Sequence, residues 1–148
     1  MKLRIGICDD MEEWHERLEG ILQETKILKG IEYEVKHFYS EKEVLQYFGE
    51  EIHIFFTDVV LKDGSGIALA ERLKSIWPEC QIAYVTDEVS YALDVYQTEH
   101  IYFMLKEQVR RRIEEVLDKT LDKIALHFKK TNLKIVISVM GGGQILIA

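Results

Sequence analysis

The chain has 148 residues, of which 47% are hydrophobic and one is proline, which indicates an ordered globular protein with one domain and at most a fragment of a second. Its 26 acidic and 19 basic residues give a net charge of −7, which disfavours binding of nucleic acid by the chain as a whole. Cys8 and Cys80 form no CxxC pair and there is no secretory or transmembrane segment, so we expect a cytoplasmic protein with reduced cysteines and no membrane partner.

Short apolar runs alternate with amphipathic segments along most of the chain. The runs predict five strands, at residues 2–8, 32–37, 52–58, 81–86 and 101–105, of which the second is an edge strand. Helical spacing predicts helices at residues 11–28, from Ser40 to about 48, 67–77, 88–98 and 108–130. Such an alternation predicts a parallel, right-handed βα series, which is an α/β three-layer sandwich.

Details of the helices also follow from the sequence. Gly30 is expected to end the first helix. Ser40 and Glu43 form a capping box at the start of the second helix. The predicted inward side chains are Val44, Leu45 and Phe48 on the second helix and Ile67, Leu69, Ala70, Leu73 and Ile76 on the third.

The end of the chain does not continue the alternation of strands and helices. Residues 134–139 and 144–147 predict two strands, and Gly141 to Gly143 lie in the turn between them. The hairpin has no partner within the βα series, so we expect it to open a second domain that this chain does not complete.

Polar side chains follow four of the predicted strands: Asp9 and Asp10, Asp58, Thr86 and Lys106. The carboxyl ends of parallel strands meet at one edge of a sheet, where ligands bind. Three carboxylates there repel by roughly 4 kcal/mol for each pair at about 4 Å, so they must take up protons or hold a cation. Oxygen ligands with room for water suit Mg²⁺. With a lysine and a hydroxyl beside them, they offer what a transferring phosphoryl group needs.

Each of these residues alone has a structural explanation. Lys106 could be an ion-pair partner, Thr86 a helix N-cap, and Asp58 or the Asp9-Asp10 pair a turn residue. Their occurrence together, at the ends of strands one, three, four and five, favours a functional site.

The sequence resembles the receiver domains of two-component response regulators. The resemblance covers residues 1–122, and the segments that carry it are Ile7 to Asp10, Thr57 to Leu61 with Gly64 and Gly66, Val85-Thr86 and Phe103 to Lys106. It implies a flavodoxin-like (βα)5 fold with strand order 2-1-3-4-5, and a signalling domain rather than an enzyme.

The resemblance also implies a role for each site residue. Asp58 would accept a phosphoryl group from a histidine kinase. Asp10, Asp58 and the Val60 carbonyl would bind Mg²⁺ directly, and Asp9 through water. Lys106 would pair with the phosphoryl oxygens, and Thr86 and Phe103 would switch together.

Residues 90–96 resemble the subgroup whose output is a LytTR DNA-binding domain. Residues 123–148 would then be the end of a linker helix and the first hairpin of a truncated LytTR-like domain, so transcription regulation through DNA would need the missing part. The sequence departs from the family at Lys62 and Glu107, where proline is usual, and at Asp87, where a small residue is usual. The last of these is expected to slow phosphorylation or shorten the life of the phosphoryl group.

Apolar residues of the last helix suggest a second partner, another copy of the chain. Ile113, Leu117, Leu121, Ile124 and Phe128 recur at near-heptad spacing, which suggests a homodimer through the surface of residues 88–130. Alternatively they pack on the chain's own sheet and hairpin.

Two other functions use similar features. A Mg²⁺-dependent phosphohydrolase with an aspartyl nucleophile normally has a second acid two residues on, where this chain has Val60. A flavodoxin-like cofactor binder would need hydroxyls and free amides in the loop that here carries Asp9 and Asp10.

Overall fold

A five-stranded parallel sheet forms the centre of the molecule. The computed structural model describes residues 2–91 and 102–141, with side chains at 2–91 and 102–126. The sheet contains β1 (Leu3–Cys8), β2 (Tyr33–Phe38), β3 (Ile54–Thr57), β6 (Gln81–Thr86) and β7 (Tyr102–Leu105). Their order is β2-β1-β3-β6-β7, and every pair is parallel. This is the predicted flavodoxin-like order, because β4 (Val60–Leu61) and β5 (Gly64–Ser65) form a separate antiparallel hairpin.

Helices cover both faces of the sheet. The helices are α1 (Glu12–Glu24), α2 (Glu41–Leu45), α3 (Gly66–Ile76) and α4 (Val109–Gly141), with short 3-10 turns at Val89–Tyr91 and Lys106–Gln108. One core joins α1 and α4 to the sheet and includes Ile7, Leu18, Phe56, Val85 and Leu117. The other joins α2 and α3 to the opposite face and includes Phe38, Val44, Phe55, Leu69 and Tyr84. The central strands are buried on both faces, as the apolar run at residues 52–56 predicts.

The first helix is shorter than predicted. It ends at Glu24, and Thr25 is extended. The next two backbone amides, of Lys26 and Ile27, donate to the Glu114 carboxylate of α4 rather than to carbonyls of α1. Gly30, with φ of 82°, therefore ends the following turn and not the helix.

Three predicted core residues are exposed. α2 has only five residues, so Val44 reaches the core while Leu45 is 38% and Phe48 94% exposed. Ile76, the last residue of α3, is 58% exposed. In each case the helix ends before another turn could bring the side chain back to the sheet.

The last helix overturns one prediction about the end of the chain. α4 continues to Gly141, so residues 134–139 are helical and not the predicted strand. A two-stranded hairpin is marginal on its own, whereas a helix satisfies its backbone hydrogen bonds within the segment. The remaining predicted strand, at residues 144–147, and most of the predicted helix at 88–98 lie outside the described residues.

The near-heptad stripe of α4 faces the chain's own core. Ile113, Leu117 and Ile124 are buried there, and Leu121 packs partly buried against them. The side chain of Phe128 lies outside the described set. Among the described residues, no helix combines the length and hydropathy that crossing a bilayer requires.

Candidate functional site

The predicted polar residues meet at one edge of the sheet. Asp9 and Asp10 follow β1, Asp58 follows β3, Thr86 ends β6 and Lys106 follows β7. One carboxylate oxygen from each aspartate lies within 4.8 Å of the others. The parallel register of the strands therefore produces the predicted cluster.

Asp9 is the innermost acid. It is fully buried, its Oδ1 accepts a hydrogen bond from the Met11 amide at 2.8 Å, and its Oδ2 lies 2.8 Å from Lys106 Nζ. Asp10 is exposed. The cluster thus has a closed, ion-paired side at Asp9 and an open side at Asp10.

Asp58 lies between these extremes, with 14% of its side chain exposed. Burial and the neighbouring Asp9 carboxylate raise the pKa of Asp58. The Thr86 hydroxyl, Lys106 and the Val60 amide oppose that rise without cancelling it. The amide of Val60 lies 3.4 Å from Asp58 Oδ1. Charge on Asp58 is therefore costly in the free protein, and a cation would relieve the cost.

Lys106 is the only lysine in the cluster among the described residues, and three carboxylates surround its ammonium group. Besides Asp9, its Nζ lies 3.7 Å from Asp58 Oδ2 and 3.7 Å from Asp87 Oδ2. Burial alone would lower the pKa of Lys106, but the three carboxylates outweigh it and the pKa is raised. The ammonium therefore stays charged beside the Asp58 carboxylate.

A core tryptophan, Trp14, also contacts this lysine. Lys106 Nζ lies over the indole of Trp14, 5.3 Å from the ring centroid. Trp14 does belong to the core stripe of α1, being 5% exposed. Its place in the first turn of α1, directly after Asp9 and Asp10, is the one sequence signal of this contact.

The turn after Asp58 is held at both ends. Ser65 caps α3 by accepting from the amides of Ile67 and Ala68. Asp63 accepts from the amides of Glu41 and Lys42, the first two residues of α2, and these two amides lower the pKa of Asp63. Sequence reasoning missed this bridge between the Asp58 turn and α2.

The turn after Lys106 contains no proline. Its backbone is held instead by Gln108, whose Oε1 accepts from the Leu105 amide at 3.1 Å. Arg112 Nη1 donates to the carbonyl of Phe103 at 2.9 Å. Phe103 is partly exposed. Glu107 stands where the family usually has proline, but its side chain is exposed to solvent. Lys106 still reaches the acids, with Nζ 2.8 Å from Asp9 Oδ2.

Two histidines of the described part of the chain are buried away from solvent. His53 is buried, 6% exposed, and its Nδ1 accepts from the Arg4 amide. His15 is also buried, and its Nε2 lies 2.7 Å from the backbone carbonyl oxygen of Asp9. Its other nitrogen lies 2.7 Å from His37 Nδ1. His100 is outside the described residues.

Comparisons with known proteins agree with this geometry. The family model described as "Response regulator receiver domain" matches residues 5–118. The "Sensory transduction protein LytR" of Streptococcus mutans is 24% identical over 137 residues, which cover 86% of this chain and 55% of that protein. The protein of the same name from Staphylococcus haemolyticus is 27% identical over 85 residues, covering 57% of this chain and 33% of that protein.

Solved structures share the fold. The response regulator receiver domain protein from Clostridium thermocellum has a TM-score of 0.70 at 18% identity, over 84% of this chain and 98% of that one. This chain spans about half, or less, of the length of the two LytR relatives. Since the family model covers well over half of the sequence, the chain belongs to the response regulator receiver domain family.

Proposed function

We propose that this protein accepts a phosphoryl group on Asp58 from a histidine kinase and passes the change to an output. Receiver domains are signalling domains that interact with histidine kinases. The observation that carries the assignment to Asp58 is its position: it is the partly exposed carboxylate that interacts with both Lys106 and the Thr86 hydroxyl. Asp9 is closed off by burial, and Asp10 has no such donors among the described contacts.

The residues also fit a magnesium ion. Receiver domains bind Mg²⁺ at an acidic pocket, and here Asp9, Asp10 and Asp58 offer oxygen ligands close together. Burial and then the neighbouring Asp9 carboxylate raise the pKa of Asp58, so a bound cation would stabilise its charged form. Asp10, Asp58 and the Val60 carbonyl would hold the ion, with Asp9 acting through water. When bound, Mg²⁺ supplies charge neutralisation for the carboxylates and the phosphoryl oxygens.

The transfer itself is a displacement at phosphorus. An Asp58 carboxylate oxygen forms the new P–O bond while the P–N bond to the donor imidazole breaks, and the electron pair of that bond stays on the imidazole nitrogen. Lys106 and Thr86 donate to the phosphoryl oxygens as they gain charge. The protein thus contributes the positions of the reacting groups and the electrostatic stabilisation of the phosphoryl oxygens. Any hydrolysis of the acyl phosphate would be catalysed by the receiver domain itself.

The proposed readout runs from the phosphoryl group to β7. The new group adds about −1.5 to −2 charges, and Thr86 moves toward it. Thr86 is buried at the end of β6, and it pairs in register with Leu105 of β7, two residues after Phe103. Movement of Thr86 therefore leaves space for the partly exposed Phe103 to turn inward.

For output, we propose regulation of transcription in the cytoplasm through a LytTR DNA-binding domain. The relatives named LytR and the segment at residues 90–96 support this. Residues 123–148 would link to that domain, beginning with the α4 extension. Binding of DNA would require the rest of it.

Receiver domains often dimerise, and we propose the surface of residues 88–130 for that contact. The buried stripe of α4 is not available to it, because Ile113, Leu117 and Ile124 lie in the core. The contact would use exposed side chains such as Val89 and Leu126, which are 67% and 53% exposed. A beryllofluoride mimic should raise the dimer fraction in sedimentation, and Leu126→Asp should suppress the rise.

The test of the phosphoacceptor is mass spectrometry after incubation with acetyl phosphate and Mg²⁺. The wild type should gain one phosphate mass and Asp58→Asn should gain none. Asp118→Asn is the matched control, because Asp118 is an exposed carboxylate on α4, away from the site, and its replacement should leave labelling intact. Equal labelling of Asp58→Asn and wild type would overturn the assignment.

A further inference from the structure

Two kinds of side chain contact the Lys106 ammonium group: charged carboxylates and the uncharged indole of Trp14. Its Nζ is drawn toward three carboxylates, those of Asp9, Asp58 and Asp87. It also lies over the face of Trp14, 5.3 Å from the ring centroid. A cation within about 6 Å of an aromatic centroid is attracted by the negative face of the ring, most strongly by tryptophan.

The contact with the indole matters because the Lys106 ammonium group must be oriented toward Asp58 and not toward Asp87. A lysine side chain is a flexible four-carbon stem, and the exposed Asp87 competes for its ammonium group. A further carboxylate could hold the lysine in place, but it would repel an incoming phosphoryl group. The indole face attracts the ammonium through its quadrupole and adds no net charge to the pocket.

Trp14 is itself well fixed. It is 5% exposed and belongs to the core between α1 and the sheet. One other cation, the guanidinium of Arg17, lies over the ring at 5.7 Å. Arg17 is exposed, so it offers a matched control on the same ring.

We propose that Trp14 is a positioning residue for phosphoryl transfer, which orients the Lys106 ammonium toward the phosphoryl group on Asp58. The contact between the two side chains is independent of the proposed function, and its effect on phosphorylation rests on that function. The two parts are therefore tested by separate measurements.

The contact is tested in the free protein by a double-mutant cycle on equilibrium unfolding. The cycle combines Trp14→Leu with Lys106→Met, which keeps the length of the stem and removes the charge. We expect a coupling equivalent to a factor of roughly 2 to 30 in the unfolding equilibrium constant. Additive effects would overturn the proposal. If Trp14→Leu does not fold, Trp14→Met, which fills more of the space and also lacks an aromatic face, replaces it and the same criterion applies.

A spectroscopic measurement supplements the cycle. The protein has two tryptophans, so in a Trp77→Phe background the emission reports Trp14 alone. Lys106→Met should shift that emission because it removes a charge next to the ring, whereas an unchanged spectrum would count against the contact.

The effect on phosphorylation is tested by the rate of labelling from acetyl phosphate. Trp14→Leu should label roughly tenfold more slowly, and Trp14→Phe, which keeps an aromatic face, should recover most of the rate. Arg17→Met should label at the wild-type rate. Leu22→Ala, a buried change on the same helix, controls for loss of stability and should also keep its rate.

The outcomes separate the two proposals. If the wild type gains no phosphate on Asp58, the proposed function fails while the cycle still decides the contact. If the wild type is labelled and Trp14→Leu is labelled equally fast, Trp14 has no positioning role.

Discussion

Gly66→Ala should damage the stability of this protein and the proposed phosphorylation, because the first residue of α3 lies against the backbone of Asp58, the proposed phosphoacceptor. A Cβ added at Gly66 would lie 1.8 Å from the carbonyl oxygen of Asp58 and 3.1 Å from Thr57 Oγ1. Contacts under 3.0 Å require a shift, so α3 and the Asp58 carbonyl must separate by more than about 1 Å. Forced overpacking of this kind costs about 1–3 kcal/mol. Weakening the hydrogen bond from the Thr57 hydroxyl to that carbonyl adds about 1 kcal/mol.

The expected loss of about 2–4 kcal/mol corresponds to a fall in Tm of roughly 6–16 °C for a domain of this size. A displacement of about 1 Å at a reacting group can lower a rate by about a hundredfold, so labelling of Asp58 from acetyl phosphate should slow to that extent. Gly20→Ala is the matched control, since a Cβ there meets nothing within 4 Å. That change should raise the stability of α1 by about 0.5–1 kcal/mol. A Gly66→Ala protein with the wild-type Tm and labelling rate would refute the reasoning.

Four further outcomes are expected. Because the pKa of Asp58 is raised in the folded protein, Asp58→Asn should increase the free energy of unfolding at neutral pH. In denaturant titrations this gain should vanish below about pH 4, where both states of the wild type are protonated. Millimolar Mg²⁺ should raise the Tm of the wild type more than that of Asp10→Ala, measured by differential scanning fluorimetry. Asp87→Ala removes a competitor for Lys106 and should speed labelling about two- to fivefold in a mass-spectrometric time course. Burial lowers the pKa of His53, so stability should be complete above about pH 6.5 and fall as the pH drops through the lowered value, a dependence that His53→Gln should flatten.

The sheet and the site were largely predictable because both depend on local sequence patterns. Buried strands appear as apolar runs, and β6 was predicted with its observed bounds. The parallel alternation then brings the residues after each strand to one edge, so the cluster of Asp9, Asp10, Asp58 and Lys106 follows from the order of elements.

What sequence patterns missed depends on contacts between distant segments. Glu114 of α4 takes the amides that follow α1 and so fixes where α1 ends. The contact of Trp14 with Lys106 joins residues that are far apart in the chain, and in the sequence Trp14 looks like any core residue. The β-branched run at residues 134–139 predicts a strand by its propensity, but propensity depends on context, and these residues continue α4.

The unbroken length of α4 would amplify small tilts of its packed part. Among the side chains that the structure describes, Ile124 is the last buried one of α4, and from there to Gly141 the helix rises by about 25 Å. A tilt of about 10° in the packed part would move the far end by roughly 4 Å. A rearrangement of side chains between β7 and α4 that is small at the sheet would therefore be several times larger at the Gly141 end of the helix.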